Sequence, residues 1–174
     1  MKEKINVFDY AQRILEELPR GILLNTDGEK FNSMVIGWGH LGVIWGLPTL
    51  TVYVRQSRFT HPQLDRAGEF SVSVPIGEEG HLSPEVMRVF GSRSGRDVNK
   101  AEYVTLEKGE SVRTPAIREY PLTLECRVLY RQDQVLESIP EEIRQRYYSR
   151  GSDEGDFHTA YIAQIVDAYI IRED

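Results

Sequence analysis

The chain has 174 residues, of which 28% are charged and 40% hydrophobic, and it carries a formal net charge of −6. That is enough for one domain with a real core and argues against wholesale disorder, while the acidic balance argues against a nucleic-acid backbone as partner. No run approaches the roughly 18 uninterrupted apolar residues of a membrane span, Met1-Lys2-Glu3-Lys4 starts no signal-peptide core, and a lone cysteine, Cys126, excludes an internal disulfide, so the expectation is one cytoplasmic domain over 1–174.

Ile5, Phe8, Ala11, Leu15 and Leu18 recur at spacings of three and four, which predicts an amphipathic helix over about 6–18, stopped by Pro19 and Gly21. Strands follow. Gly21–Thr26 and Phe31–Trp38 flank Asp27-Gly28, a dipeptide that favours a tight hairpin. Val43–Val54 reads as a third β run in which Pro48 must take an edge, a bulge or a break. The chain leaves the sheet at Ser57 and turns helical from Pro62 to Ala67, and Phe70–Val74 alternates as a fourth strand.

An acidic turn is expected at Gly77–Gly80. Ser83-Pro84-Glu85 then starts a helix, with Ser as cap and Pro at the first helical position, ending near Phe90 where Gly91 can stop it. In Leu122–Tyr130 the alternation puts Cys126 on a core face, Ser138–Tyr148 suits a short surface helix, and Phe157–Ile171 closes the chain as a long β run. Many strands with short helices and no βα alternation imply a mostly antiparallel sheet closed into a barrel, with helices outside.

Chemistry concentrates in three segments. Arg55-Gln56-Ser57-Arg58-Phe59-Thr60 sets two guanidiniums and two hydroxyls where a β run gives way to a helix, which suits phosphate. Asn32–Trp45 combines glycines with Met34, Trp38 and Trp45, a surface for a planar ligand. Gly91–Lys100 is a polar loop whose Ser94, Arg96 and Lys100 can donate to carbonyls or phosphates. The four histidines, His40, His61, His81 and His158, are scattered and form no metal-ligand spacing. Neither a dinucleotide fingerprint nor a phosphate loop is present.

Taken in order, Asn32–Gly39, Val52–Thr60, Phe70–Val74, Gly91–Lys100, Leu124–Val128 and Phe157–Val166 resemble the flavin reductase-like proteins with an FMN-binding split barrel, in their flavoredoxin-like branch. The resemblance implies a homodimer holding FMN noncovalently near the subunit interface. It implies a phosphate grip of Arg55, Ser57, Arg58 and Thr60, and flavin-edge contacts from Asn32, Ser33, Met34, Val35 and Ile36 with Trp38 beside the ring system. It also implies a second contact loop of Ser94, Gly95, Arg96 and Lys100, and His158 lining the pocket from the last strand.

Gln56 and His61-Pro62 depart from the family pattern but leave the phosphate donors intact, whereas Phe90 and Ala163-Gln164 depart from it on the partner or nicotinamide side. The chemistry implied is electron transfer from NAD(P)H or a redox-partner protein through bound FMN, with no side chain acting as nucleophile. An FMN electron carrier without NAD(P)H turnover, and an oxidase of the pyridoxal-phosphate type, are the alternatives.

Overall fold

The computed structural model describes residues 1–76, 80–149 and 154–172, so the turn expected at Gly77–Gly80 lies mostly outside the described residues. In chain order the strands are β1 Lys2–Lys4, β2 Ile22–Asp27, β3 Phe31–Ile36, β4 Gly39–Ile44, β5 Leu47–Arg55, β6 Glu69–Val74, β7 Leu106–Glu107, β8 Ala116–Ile117, β9 Leu122–Asp133 and β10 His158–Ile171. The helices are α1 Ala11–Glu17, α2 Thr60–Ala67, α3 Pro84–Ser92 and α4 Glu141–Tyr147.

The large sheet runs β3-β2-β6-β9-β10-β5-β4, with β1 added beside β10, and every pairing in it is antiparallel. Inward side chains from six of its strands share one core, among them Leu24, Ile36, Val52, Phe70, Leu124 and Tyr161. Gathering residues from so many strands around one core requires the sheet to curl into a barrel. Its two ends, β3 and β4, are joined by Gly37-Trp38 without pairing to each other among the described residues, which leaves the barrel split along that seam.

A second core lies outside the barrel, where Leu23 and Phe31 meet Val86, Val89 and Phe90 of α3. This explains why Ile22, Leu23, Leu24 and Asn25 are all fully buried: β2 is covered on both faces. The Ser83 hydroxyl accepts from the Val86 N–H at 3.2 Å and starts α3 as its sequence predicts. Gly91 does not stop that helix. It lies inside α3, which ends at Ser92, and a Cβ at Gly91 would meet Val35 at 3.8 Å, an ordinary contact.

Three other expectations are refined. The helix over about 6–18 is a 3-10 turn at Val7–Tyr10, then α1, then a second 3-10 turn at Leu18–Arg20, where Gly21 at φ 113° ends it. The β run at Val43–Val54 is not one strand but the tail of β4 and the body of β5, folded back at Trp45-Gly46. Pro48 sits opposite Val43 on β4, one residue beyond the last pairing of β5 with β10, so its missing N–H costs the sheet nothing. The strand β1, made of charged residues, gave no sequence signal. Cys126 is fully buried in the barrel core, as its alternation implies.

The turn of that β4–β5 hairpin carries a testable strain. Trp45 has φ 54° and Gly46 φ 72°, the two left-handed positions that a two-residue turn demands, and only the second suits its residue. Because Trp45 is 63% exposed, Trp45→Asn removes little packing. Thermal unfolding should show the variant about 1 kcal/mol more stable; a lower melting temperature would mean that the indole is covered in solution.

Candidate functional site

Two clefts meet along the seam. The first lies between β3, the β5–α2 corner and the loop after α3, and encloses about 650 Å³, part of it open to solvent. The second, of about 540 Å³, continues from it past the end of β3 and shares Met34, Val35 and Arg58 with the first.

At the corner, the chain leaves β5 in a tight turn in which the Arg58 N–H donates to the Arg55 carbonyl at 3.1 Å. Thr60 opens α2 and is buried, and its hydroxyl oxygen accepts from Asn32 Nδ2 at 2.9 Å, which locks the helix start to β3. The other amide atom, Asn32 Oδ1, is buried and has no hydrogen-bond partner among the described residues. It faces Gly95, where an added Cβ would stand 2.1 Å from Oδ1 and 2.7 Å from Phe59 Cδ1. Gly95 is therefore glycine because its backbone lies directly on the site.

Lys100 is the deepest charge, only 2% exposed. Its ammonium donates to the Ser33 carbonyl at 2.6 Å and the Phe90 carbonyl at 3.4 Å, so Ser33 acts from behind the cleft wall. Burial, and secondarily the positive charge of Arg58, lower the Lys100 pKa to about 8. Arg96 sits at the mouth: its guanidinium lies 5.3 Å from the Phe59 ring centroid and reaches the Ser57 carbonyl at 3.4 Å. The first cleft is thus lined by Arg58, Arg93, Arg96 and Lys100, with no Asp or Glu among its described lining residues.

The second cleft has a different character. Met34, Ile36 and Trp38 give it an apolar wall, closed by Tyr53, Arg55 and His158. Trp38 packs edge-on against Tyr147 at 5.1 Å and tilts over His158 at 5.0 Å. The register of β10 on β5 sets His158 directly opposite Arg55, and the His158 Nδ1 lies 2.9 Å from the Tyr148 hydroxyl.

The four proposed phosphate ligands therefore separate. The Arg55 fork donates to the carbonyls of Asp156 and Tyr147, each at 2.8 Å, and its guanidinium lies 5.2 Å from the Tyr148 ring centroid. The Ser57 N–H and hydroxyl both donate to the Asp156 carboxylate, at 3.1 and 2.5 Å. Arg58 has no side-chain hydrogen bond or ion pair among the described residues and lines both clefts. Met34, Val35, Ile36, Trp38, Arg55 and His158 gather in the second cleft; Asn32, Ser57, Thr60, Ser94, Gly95, Arg96 and Lys100 in the first.

A family model, the flavin reductase like domain, matches residues 15–174. The chain belongs to the flavin reductase-like family. An uncharacterized protein of Archaeoglobus fulgidus is 33% identical to it over 129 residues, spanning 73% of this chain and 67% of that one. Flavoredoxin from Methanosarcina acetivorans superposes with a TM-score of 0.63 at 27% identity, over 87% of this chain and 68% of that one. An FMN-binding protein from Thermus thermophilus, at 21% identity and a TM-score of 0.61, covers 86% of this chain and 69% of its own and shares the fold.

Within this flavin reductase-like barrel, sequence reasoning missed Phe59, Arg93 and Asp156. Phe59 and Arg93 lie inside segments singled out for their polar neighbours. Asp156 gave no signal at all, because it reaches Ser57 across 99 residues of chain and only the pairing of β10 with β5 delivers it.

A buried lysine with a lowered pKa predicts that binding of an anion in the first cleft would depend on pH. Lys100 is charged below pH 8 and loses its proton above it, so affinity for an anion in the first cleft falls as pH rises through 8, and binding at that pH takes up a proton. The linked effect on stability has the opposite sign. Between pH 8 and the ordinary lysine value of 10.5 the unfolded chain holds the proton more tightly, so the fold gains stability with rising pH. Lys100→Met should flatten both profiles, as calorimetric titration and unfolding against pH would show; an unchanged pH profile in the variant would exonerate Lys100.

Proposed function

We propose that this flavin reductase-like chain is an FMN-binding oxidoreductase that passes electrons from NAD(P)H or a redox-partner protein. The carrying observation is the juxtaposition of a cationic cleft lined by no described carboxylate with an apolar, tryptophan-walled cleft sharing one β edge. A ligand filling both must be anionic at one end and flat and apolar at the other, which describes a flavin mononucleotide.

In this reading Arg58, Thr60 and Lys100 hold the phosphate, and Met34, Ile36 and Trp38 flank the ring system, with His158 at its far side. Arg55 acts as a positioning residue, holding the backbone at Tyr147 and Asp156 that walls the second cleft. Ser57 joins the phosphate when its donors leave Asp156. FMN, when bound, supplies the two-electron chemistry. The chain supplies orientation, a site partly screened from water, and positive charge that favours a reduced, anionic cofactor.

The homodimer fits the exposed apolar groups on and beside the edge strand β4, where Trp38 is 42%, Val43 65% and Trp45 63% exposed. A buried free thiol at Cys126 suits the cytoplasm. The test is the visible spectrum of protein reconstituted with FMN, followed by anaerobic addition of NADH and NADPH in turn. Retained flavin with catalytic NAD(P)H oxidation supports the reading, stoichiometric reduction without turnover assigns an electron carrier instead, and failure to retain flavin refutes it.

A further inference from the structure

We propose that His61 is a proton-gated positioning residue: when its imidazole takes a second proton it fastens the start of α2 to the last strand, and the anion site at the β5–α2 corner tightens as pH falls. The inference rests on the reading of that corner as an anion site and adds a control by a residue that does not line the cleft.

His61 follows Thr60 in the first turn of α2, and its side chain is only 12% exposed. Its backbone N–H donates to the Arg58 carbonyl at 3.0 Å, while Thr60 is held to β3 through Asn32. The imidazole reaches β10, where Nε2 lies 2.9 Å from the Thr159 hydroxyl. Two successive residues thus tie the corner to two different strands. Thr159 directly follows His158, which lines the second cleft.

The proton count around the ring decides its tautomer. A hydroxyl has one proton to give, and an ionised carboxylate only accepts. Thr159 gives its proton to Asp133 of β9 at 2.6 Å, so its oxygen accepts from the Nε2–H of His61. Neutral His61 then has no proton on Nδ1, and that bare nitrogen faces Asp65 Oδ2, one helical turn on, at 3.6 Å. Two acceptors facing each other form no bond. A second proton, on Nδ1, turns the contact into an ion pair and leaves the Thr159 bond in place.

Four ionisable groups surround the ring. Asp65 of α2 and Asp133 of β9 favour the second proton, and Arg131 of β9 opposes it. Tyr161 of β10 meets His61 edge-on, with centroids 5.9 Å apart, and burial together with the Asp65 carboxylate keeps its hydroxyl protonated. Arg131 and Tyr161 both donate to Asp65 Oδ1, which leaves Oδ2 toward His61. Burial raises the Asp65 carboxyl pKa, but those two hydrogen bonds outweigh it and hold the group below its ordinary value, so Asp65 is ionised wherever histidine changes charge. A corner already fastened to both strands loses less freedom when its ligand arrives, and the clamp is felt as affinity.

The test compares the wild type with His61→Gln, which keeps a donor for Thr159 but takes no charge. FMN is titrated between about pH 5.5 and about pH 8. The quantity read is the ratio of the two dissociation constants, in which titration of the FMN phosphate itself cancels. The ratio should lie within twofold of one at the upper limit, and at the lower limit the wild type should bind about fivefold more tightly, the low end for linked sites. Asp65→Asn should behave like His61→Gln. Nitrogen NMR of the ligand-free wild type, which needs no variant to fold, should show neutral His61 as the Nε2–H tautomer.

A ratio that does not change with pH, or an Nδ1–H tautomer, overturns the proposal. Should the protein retain no FMN, the flavin reading fails by itself, and the ratio is measured with inorganic phosphate: tighter wild-type binding at the acid limit leaves the role of His61 standing, and a flat ratio or no phosphate binding removes it.

Discussion

Arg58→Ala is expected to loosen FMN about ten- to a hundredfold, since a charge-assisted hydrogen bond to an ionised group is worth about 1.5–3 kcal/mol. Arg58 touches both clefts and spends its guanidinium on nothing else among the described residues, so nothing in the fold compensates for its loss and nothing is orphaned by it. The variant should melt no lower than the wild type, because removing Arg58 also removes a positive charge that bears on Lys100. Arg55→Ala makes the contrast. Its fork ties down two backbone carbonyls and packs on Tyr148, so it should lower thermal stability together with affinity. Fluorescence titration with FMN and a melting curve on each variant separate the two roles. If Arg58→Ala binds FMN within twofold of wild type, the phosphate does not lie at this corner.

Gly95→Ala should be nearly as damaging by a different route. A methyl placed 2.1 Å from Asn32 Oδ1 and 2.7 Å from Phe59 Cδ1 cannot be absorbed without moving the loop or the Asn32 amide, and that amide also secures the start of α2 through Thr60. Overpacking of this kind costs about 1–3 kcal/mol. Here most of the cost should fall on the site, because Gly95 belongs to no strand of the sheet and its loop lines the first cleft. Melting temperature should drop by only a few degrees while FMN affinity falls at least tenfold. An FMN affinity equal to wild type would mean that the loop is displaced in the bound state.

The parts of this molecule legible in its sequence are those governed by neighbours in the chain. Alternation in Phe70–Val74 and Leu122–Tyr130, the Asp27-Gly28 turn and the Ser83-Pro84 helix start all appear where local rules put them. The reading of Val43–Val54 as one strand failed because strong β propensity on both sides of Trp45-Gly46 hides the reversal, and because tryptophan is an improbable residue for a left-handed turn position. Gly91 is no helix stop, since α3 runs one residue past it to Ser92, and a Cβ there would make only ordinary contacts with Val35 and Met87.

The site divides along the same line. Arg58 and Thr60 belong to one short segment at a strand-to-helix corner, where the choice of residues already states the chemistry. Lys100 looked like one more polar loop residue. Its burial, its two carbonyl acceptors and its lowered pKa come from β3 and α3 packing over it. The same holds for Arg55 and Ser57, whose donors are claimed by carbonyls and a carboxylate nearly a hundred residues away. Local composition names the kind of ligand; it does not say which donors the fold has already spent.

The most direct test is a crystal structure of the protein grown or soaked with FMN. The account predicts phosphate oxygens within hydrogen-bonding distance of the Arg58 guanidinium and the Thr60 hydroxyl, with Lys100 beneath them and the isoalloxazine against Met34, Ile36 and Trp38. A flavin found elsewhere on the molecule, or one whose phosphate points into solvent while Arg58 contacts no part of it, would contradict it.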